Sequence, residues 1–427
     1  MFVRRWPYAF YHSLTPRTSD HSPLVLRGDM QPSQNHIVGT PMYSIAQKLK
    51  ALKPVSKRQR KDKGDRSLNV KLVAEFLEIA QSLLHLDWRN PLLLLLEHCY
   101  RFVFLKPAKL EQVMLQQWVK IQWLKGGDQC SNAFFCKVAI RRDFKRIFKI
   151  SNEEGHTSTE LNDISTVFVD FHQRLLGGTR MNRVLDLQYL RPWATHIITE
   201  DEGGTLIQPI TTEEVKLAVF DIAEDKASGP DGYSSGIYKA VWSIVGDEVN
   251  KAVPDIFATG HLLKQGNATL LSLIPKANFR PISCCNVLYK VITKILVQRI
   301  SGVLEKLTSP SQKAFVPGRS IGDNILLAQE LFSGYNQARL PLRSALKVDL
   351  RKAYDNVEWD FLLATLKMFG FLELFIHCIE ECVSKTHFSI CLNGTTWVLR
   401  WGTRAKTGGP HVPIFLFVMV MEVLQLS

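Results

Sequence analysis

Lys347-Val348-Asp349-Leu350-Arg351-Lys352-Ala353-Tyr354-Asp355 sets a carboxylate at the end of an apolar stretch. Residues 344–350 read as a strand with Asp349 near its end. A carboxylate there costs desolvation unless it is paired, exposed at the strand end, or bound to a metal. A helix is expected next, over 359–369, stopped by Gly370. Asp355, Glu358 and Asp360 then serve as caps or surface charges at its start.

Working outward, the flanking segments alternate between helix and strand. Residues 270–274 form a short apolar strand. Residues 286–307 carry Val287, Ile292, Ile295, Leu296, Ile300, Val303 and Leu304 on one side of a long helix. Residues 388–392 and 396–399 flank Asn393-Gly394, a strong hairpin signal. Residues 164–176 read as a helix ended by Gly177-Gly178. Thr211 with Glu214 forms a capping box for a helix running towards Ala227. Gly229-Pro230-Asp231-Gly232 is a loop. The class is therefore α/β (α+β), with a folded body over 151–427.

The N-terminal third differs. Residues 1–45 have scattered Pro, Ser, Gly and Asn, and read as loop. Helices are expected over 69–86, with Val70, Val73, Phe76, Leu77, Ala80 and Leu84 on related turns, and over 105–124. The whole chain has 53 Lys+Arg against 40 Asp+Glu, a net charge of +13, and the excess lies within residues 1–150. Residues 48–66 and 137–149 are the basic clusters, the second interleaved with phenylalanines. The first reads as a solvated helix face or flexible arm, the second as ordinary helix packing, and each alternatively as a nucleic-acid surface. A polyanionic partner is expected.

No apolar stretch is long enough to span a membrane, and no long apolar segment follows Arg4 and Arg5. Neither a membrane protein nor a secreted one is expected, which leaves the nucleus or the cytoplasm. The eight cysteines are then reduced thiols. Cys378 and Cys382, with His377 and His387 nearby, allow a zinc site, but core packing is the stronger reading.

Further segments come in a fixed order: Lys226-Ala227-Ser228-Gly229-Pro230-Asp231-Gly232-Tyr233, Leu273-Ile274-Pro275-Lys276, Asn278-Phe279-Arg280-Pro281, Gln312-Lys313-Ala314-Phe315-Val316-Pro317-Gly318-Arg319 and Asp323-Asn324, ahead of Asp349. From about Trp118 onward the chain resembles the reverse transcriptase of plant-type LINE (non-LTR) retrotransposons. The resemblance implies an RNA-directed DNA polymerase with fingers and palm. Its partners would be an RNA template, a DNA primer and deoxynucleoside triphosphates.

Carried over by that resemblance, Asp349 and the main-chain carbonyl of Leu350 would bind catalytic Mg2+. Tyr354 would be the aromatic gate against a 2′-OH, or else a core tyrosine. Lys276 and Arg280 would grip the incoming triphosphate on a fingers hairpin, and an Arg fork suits phosphate. Gly229, Pro230, Asp231 and Gly232 would contact template or primer, as would Gly318 and Arg319. Cys284 and Cys285 are read as packing. Ser19-Asp20-His21-Ser22 resembles the closing motif of the endonuclease that precedes such polymerases, with Asp20 and His21 its remnant. Residues 46–150 would be a basic, mostly helical linker.

The sequence departs from that family in three places. It contains no Asp-Asp dipeptide. Residues 404–410, Arg-Ala-Lys-Thr-Gly-Gly-Pro, replace a glycine-rich string that normally holds Gln and Asp. Few residues separate Lys276 from Arg280. The expectation is a copy truncated at both ends and inactive, with the apolar tail 412–426 lacking its usual packing partner. The alternative is a non-catalytic RNA- or DNA-binding protein using the basic third.

Overall fold

The computed structural model describes residues 9–13, 24–28, 39–62, 66–119, 146–151, 157–176, 185–224, 226–274, 280–333, 357–398 and 414–426. Asp20, His21, Lys276, Asp349, Leu350 and Tyr354 lie outside the described residues, as do most of the second basic cluster and residues 404–410.

The sheet follows from apolar alternation and a tight turn at Asn393-Gly394. Strand β1 (Ala268–Ile274) pairs antiparallel with β2 (Arg280–Cys285), Ile274 opposite Arg280. Strand β3 (His387–Leu392) lies parallel to β1 on its other side, and β4 (Thr395–Val398) completes the order β2-β1-β3-β4. Burial alternates along β3, so one face is apolar. That face, with Leu271, Leu273, Phe388 and Ile390, packs with Ile164 and Phe168 of a helix spanning Leu161–Leu176. Asn393 and Gly394 have φ of 48° and 88°, the geometry an Asn-Gly hairpin turn requires.

A parallel pair needs a crossover. Here it runs through helices at Val287–Leu307, Ile321–Phe332, Trp359–Met368 and Glu373–Ser384. The first buries Val291, Ile292, Ile295, Ile300 and Leu304 at helical spacing in the larger core. Helix Trp242–Thr259 joins that core through Val249, Val253 and Ile256, and ends at Gly260 with φ 67°. Gly370, φ 86°, follows Trp359–Met368 as expected.

Several expectations change. Residues 1–45 are not all loop. Ala9–Ser13 pairs antiparallel with Leu24–Gly28, and a helix begins at Pro41 and runs to Asp62, across the expected boundary at 45. Its first turns are buried, Met42 and Ile45 lying in the larger core. The helix capped by Thr211 ends at Phe220, well short of Ala227. The chain then needs a bend to reach the 229–232 loop. The tail does find a partner: Ile414–Leu426 is a helix whose Leu416, Met419 and Val423 are buried in the same core.

Helices Arg66–Leu86 and Pro91–Val119 pair with each other. Phe76 stacks on Tyr100 at 5.8 Å, and buried Glu97 accepts from Gln81 at 3.1 Å. The second helix is much longer than the expected 105–124 segment. No helix among the described residues is long and apolar enough to cross a membrane.

Candidate nucleic-acid interface

The 229–232 loop sits on the junction between β2 and the helix Val287–Leu307. Asn286 occupies that junction, but its side chain does not cap its own helix. Its Oδ1 accepts from the Asp231 N–H at 3.2 Å, and its Nδ2 donates to the Gln265 carbonyl at 2.9 Å. One residue thus ties the loop to the approach of β1. Gly229 makes the close packing possible. A Cβ there would lie 2.2 Å from Asn286 Oδ1 and 2.4 Å from its backbone nitrogen.

The loop closes on itself through Gly232 N–H to the Gly229 carbonyl at 2.9 Å. Gly232 takes φ 80°, which a side chain disfavours. The Tyr233 N–H donates to Asp231 Oδ1 at 3.0 Å.

Three lysines surround this loop. Lys290 lies one turn after Asn286 and donates to the Ala227 carbonyl at 2.6 Å. Burial lowers its pKa, and Lys226 adds to that effect. Lys53, from the helix Pro41–Asp62, donates to the Pro230 carbonyl at 3.2 Å. Asp231 is half-buried; desolvation pushes its carboxyl up to about 6, against the pull of the Tyr233 N–H, Lys53 and Lys290. The loop is therefore a fixed backbone edged by ammonium groups. Each ammonium has three donors, so one bond to a carbonyl leaves capacity for a phosphate oxygen.

The second candidate, Gly318-Arg319, lies elsewhere, after the C-terminal end of the same helix. Gly318 takes φ 77°. Arg319 turns back to the helix end. Nη1 donates to the Ser309 and Gln312 carbonyls at 2.5 and 2.9 Å, and Nη2 to those of Glu305 and Thr308 at 2.7 and 3.1 Å. Its four terminal N–H groups can all be satisfied inside the protein, a scaffold geometry at a helix C-terminus. Neighbouring Glu422, buried, accepts from the Ser309 N–H at 3.0 Å and fastens the tail helix to the same turn.

Lys276 falls in the 275–279 return between β1 and β2, outside the described residues, while the backbone of Arg280 opens β2. The strands on either side of that return, β1 and β2, pair antiparallel. Cys284 and Cys285 are buried, and burial raises both thiols, that of Cys285 to about 11. Cys378 and Cys382 are also core thiols. Burial pushes Cys378 to about 11 and Cys382 higher still. His377 faces Glu380 and Glu381, and His387 Nδ1 lies 3.0 Å from the Lys385 carbonyl. The Cys378 and Cys382 thiols both pack in the larger core. Among the described residues no group of three or more His, Cys, Asp or Glu is placed to hold a metal ion.

Sequence reading did not single out Asn286, Lys290 or Lys53. Lys290 carried a signal, as a cation in the first turn of a helix whose neighbouring residues Val287, Leu288, Val291 and Ile292 are apolar. Lys53 was hidden within a long basic run.

Residues 264–426 match the family model described as reverse transcriptase (RNA-dependent DNA polymerase). Over 227 residues the chain is 28% identical to the transposon TX1 uncharacterized 149 kDa protein of Xenopus laevis, covering 50% of this chain and 17% of that protein. Over 239 residues it is 25% identical to a retrovirus-related Pol polyprotein from type-1 retrotransposable element R2 of Popillia japonica, covering 52% of this chain and 31% of that one. The chain thus spans less than a third of either relative's length. Its similarity is to reverse transcriptases of non-LTR retrotransposons.

Proposed function

We propose, taking residues 264–426 as a reverse-transcriptase segment of the non-LTR retrotransposon kind, that the chain is the fingers and part of the palm of a plant-type LINE polymerase. Its ligand is a primer–template duplex of DNA on RNA, and its reaction class is nucleotidyl transfer. The observation that carries this reading is the ordered motif run from Lys226 to Asp349, overlapping the matched segment. The lysine-edged loop at 229–232 supports it as a contact with a phosphate backbone.

In this reading Asp349 and the Leu350 carbonyl would hold Mg2+, which would neutralise charge on the transferred phosphates. Lys276, Arg280 and Tyr354 would orient the nucleotide. Gly229, Pro230, Asp231, Gly232 and Gly318 would lie along template or primer, with Arg319 shaping its turn. Asp20 and His21 would be the remnant of an endonuclease. The chain would act in the nucleus or the cytoplasm.

Two-metal chemistry takes more than one carboxylate, and these 427 residues contain no Asp-Asp dipeptide. The chain alone is therefore inactive in this reading. Primer extension on an RNA template with Mg2+ tests it. No product is expected. Product that disappears in Asp349→Ala would overturn the inactivity.

The basic N-terminal third favours a second reading, non-catalytic RNA or DNA binding. Deleting 46–150 is a poor test, because Met42 and Ile45 share their helix with that segment and lie in the core. Replacing Lys57, Arg58, Arg60, Lys61 and Lys63 by Gln is better. Under this reading the substitutions lower RNA affinity and flatten its salt dependence. Unchanged binding rejects it.

A further inference from the structure

We propose that the helix Pro41–Asp62, outside the matched segment 264–426, is part of the nucleic-acid site, and that Lys53 is a positioning residue for the 229–232 loop. The proposal rests on reading that loop as a contact for a primer–template duplex.

The helix meets the loop at two points on one of its faces. Leu49 and Lys53 are four residues apart and so share that face. The Lys53 ammonium donates to the Pro230 carbonyl at 3.2 Å, and the Leu49 carbonyl accepts from the Tyr233 hydroxyl at 2.8 Å. Pro230 has no N–H, so its carbonyl is the only main-chain polar group by which it can be held. Tyr233 lies just past the turn, buried. The two bonds therefore bracket Asp231 and Gly232 in the chain, and Asn286 holds the Asp231 N–H between them.

Other contacts already dock this helix. Met42 and Ile45 are buried in the core, and Lys48 pairs with Glu248. The bonds to Pro230 and Tyr233 come after that anchoring, and their effect falls on the shape of the loop. A loop held at Pro230, Asp231 and Tyr233 presents its backbone and its neighbouring Lys290 in one arrangement, which lowers the ordering cost of binding a duplex.

The test uses the full chain and an end-labelled RNA·DNA hybrid, with K53M, K53R and Y233F compared to wild type. Amide exchange at residues 231–233, hybrid affinity and the thermal melt are measured together. K53M is expected to speed exchange in the loop and weaken hybrid binding roughly three- to tenfold, with the melt nearly unchanged. Y233F should show the same pattern, and K53R should restore both. Wild-type exchange and affinity in K53M overturn the proposal. So does a lowered melt that K53R fails to rescue, which would make Lys53 merely structural. Faster exchange with normal hybrid affinity upholds Lys53 as a positioning residue for the loop and overturns the helix's part in the nucleic-acid site. Absence of hybrid binding by the wild-type chain overturns the underlying reading of the loop, and this proposal with it.

Discussion

The side-chain amide of Asn393 closes a two-bond ring on the backbone of Ile147: its Nδ2 donates to the Ile147 carbonyl at 2.8 Å and its Oδ1 accepts from the Ile147 N–H at 2.9 Å. The amide takes the place of a strand partner for a buried residue that has none in the sheet. It also spans nearly 250 positions of sequence, fixing the N-terminal edge of the smaller core to the β3–β4 turn. Asn393→Gly keeps the left-handed turn and removes only this ring, so it should cost about 1–3 kcal/mol. Asn393→Ala should cost more, because Ala disfavours φ 48°. Chemical denaturation of the two variants checks the order.

Arg319 should behave as a structural clamp. Arg319→Ala removes four hydrogen bonds to carbonyls at a helix end and should destabilise the protein by about 2–3 kcal/mol. Arg319→Lys should recover only part of this, since an ammonium cannot fork across four acceptors. A purely template-contacting arginine would give the opposite pattern: an unchanged melt and a shallower salt dependence of binding.

Asp231 gives a pH dependence whose sign is set by its desolvation. Its folded pKa, about 6, lies above the ordinary 3.8, so the folded state holds the proton more tightly. This group's contribution to stability is therefore fullest below about pH 4, declines as pH rises towards 6, and is level above that. Asp231→Asn removes the decline. At pH 7.5 it should stabilise the fold by about 1–3 kcal/mol, and Asn Oδ1 can still accept from Tyr233. Melts of both proteins between pH 4 and 8 check the slope.

Two glycines of the same loop should differ in kind. Gly229→Ala forces a Cβ into the backbone of Asn286 and Cys285, contacts of 2.4 and 2.5 Å, and should cost about 3 kcal/mol or more. Gly232→Ala meets no atom within 4 Å and should cost only the left-handed penalty, about 1–2 kcal/mol. Equal losses in the two denaturation curves would contradict the packing of Gly229 against Asn286.

The parts legible in the sequence were those fixed by neighbours in the chain. Thr211 and Glu214 form the capping box their spacing announces, and Asn393-Gly394 makes its hairpin. The same logic would have found a second box at Thr199 and Glu202, which the structure contains. Helix Val287–Leu307 followed from its apolar period. What could not be read was set by distant partners. Nothing local in residues 41–52 shows that Met42 belongs in the main core, or that Lys53 meets Pro230. The motif at Gly318-Arg319 implies a template contact, and nothing in it shows that the guanidinium meets four carbonyls at a helix end. The motif run marks 229–232 as a loop, which the structure contains, but could not show that Asn286 and Lys290 hold it.

The shared core of Met42 and Met419 changes what counts as the unit of folding. The matched segment starts at residue 264, yet Val249, Val253 and Ile256 before it, and the helix Pro41–Asp62 far before it, fill the same interior. A fragment trimmed to the homology boundaries would be cut through its own hydrophobic interior. It should behave as an expanded, aggregation-prone species, while any fragment that keeps residues from about 41 onward retains a cooperative transition.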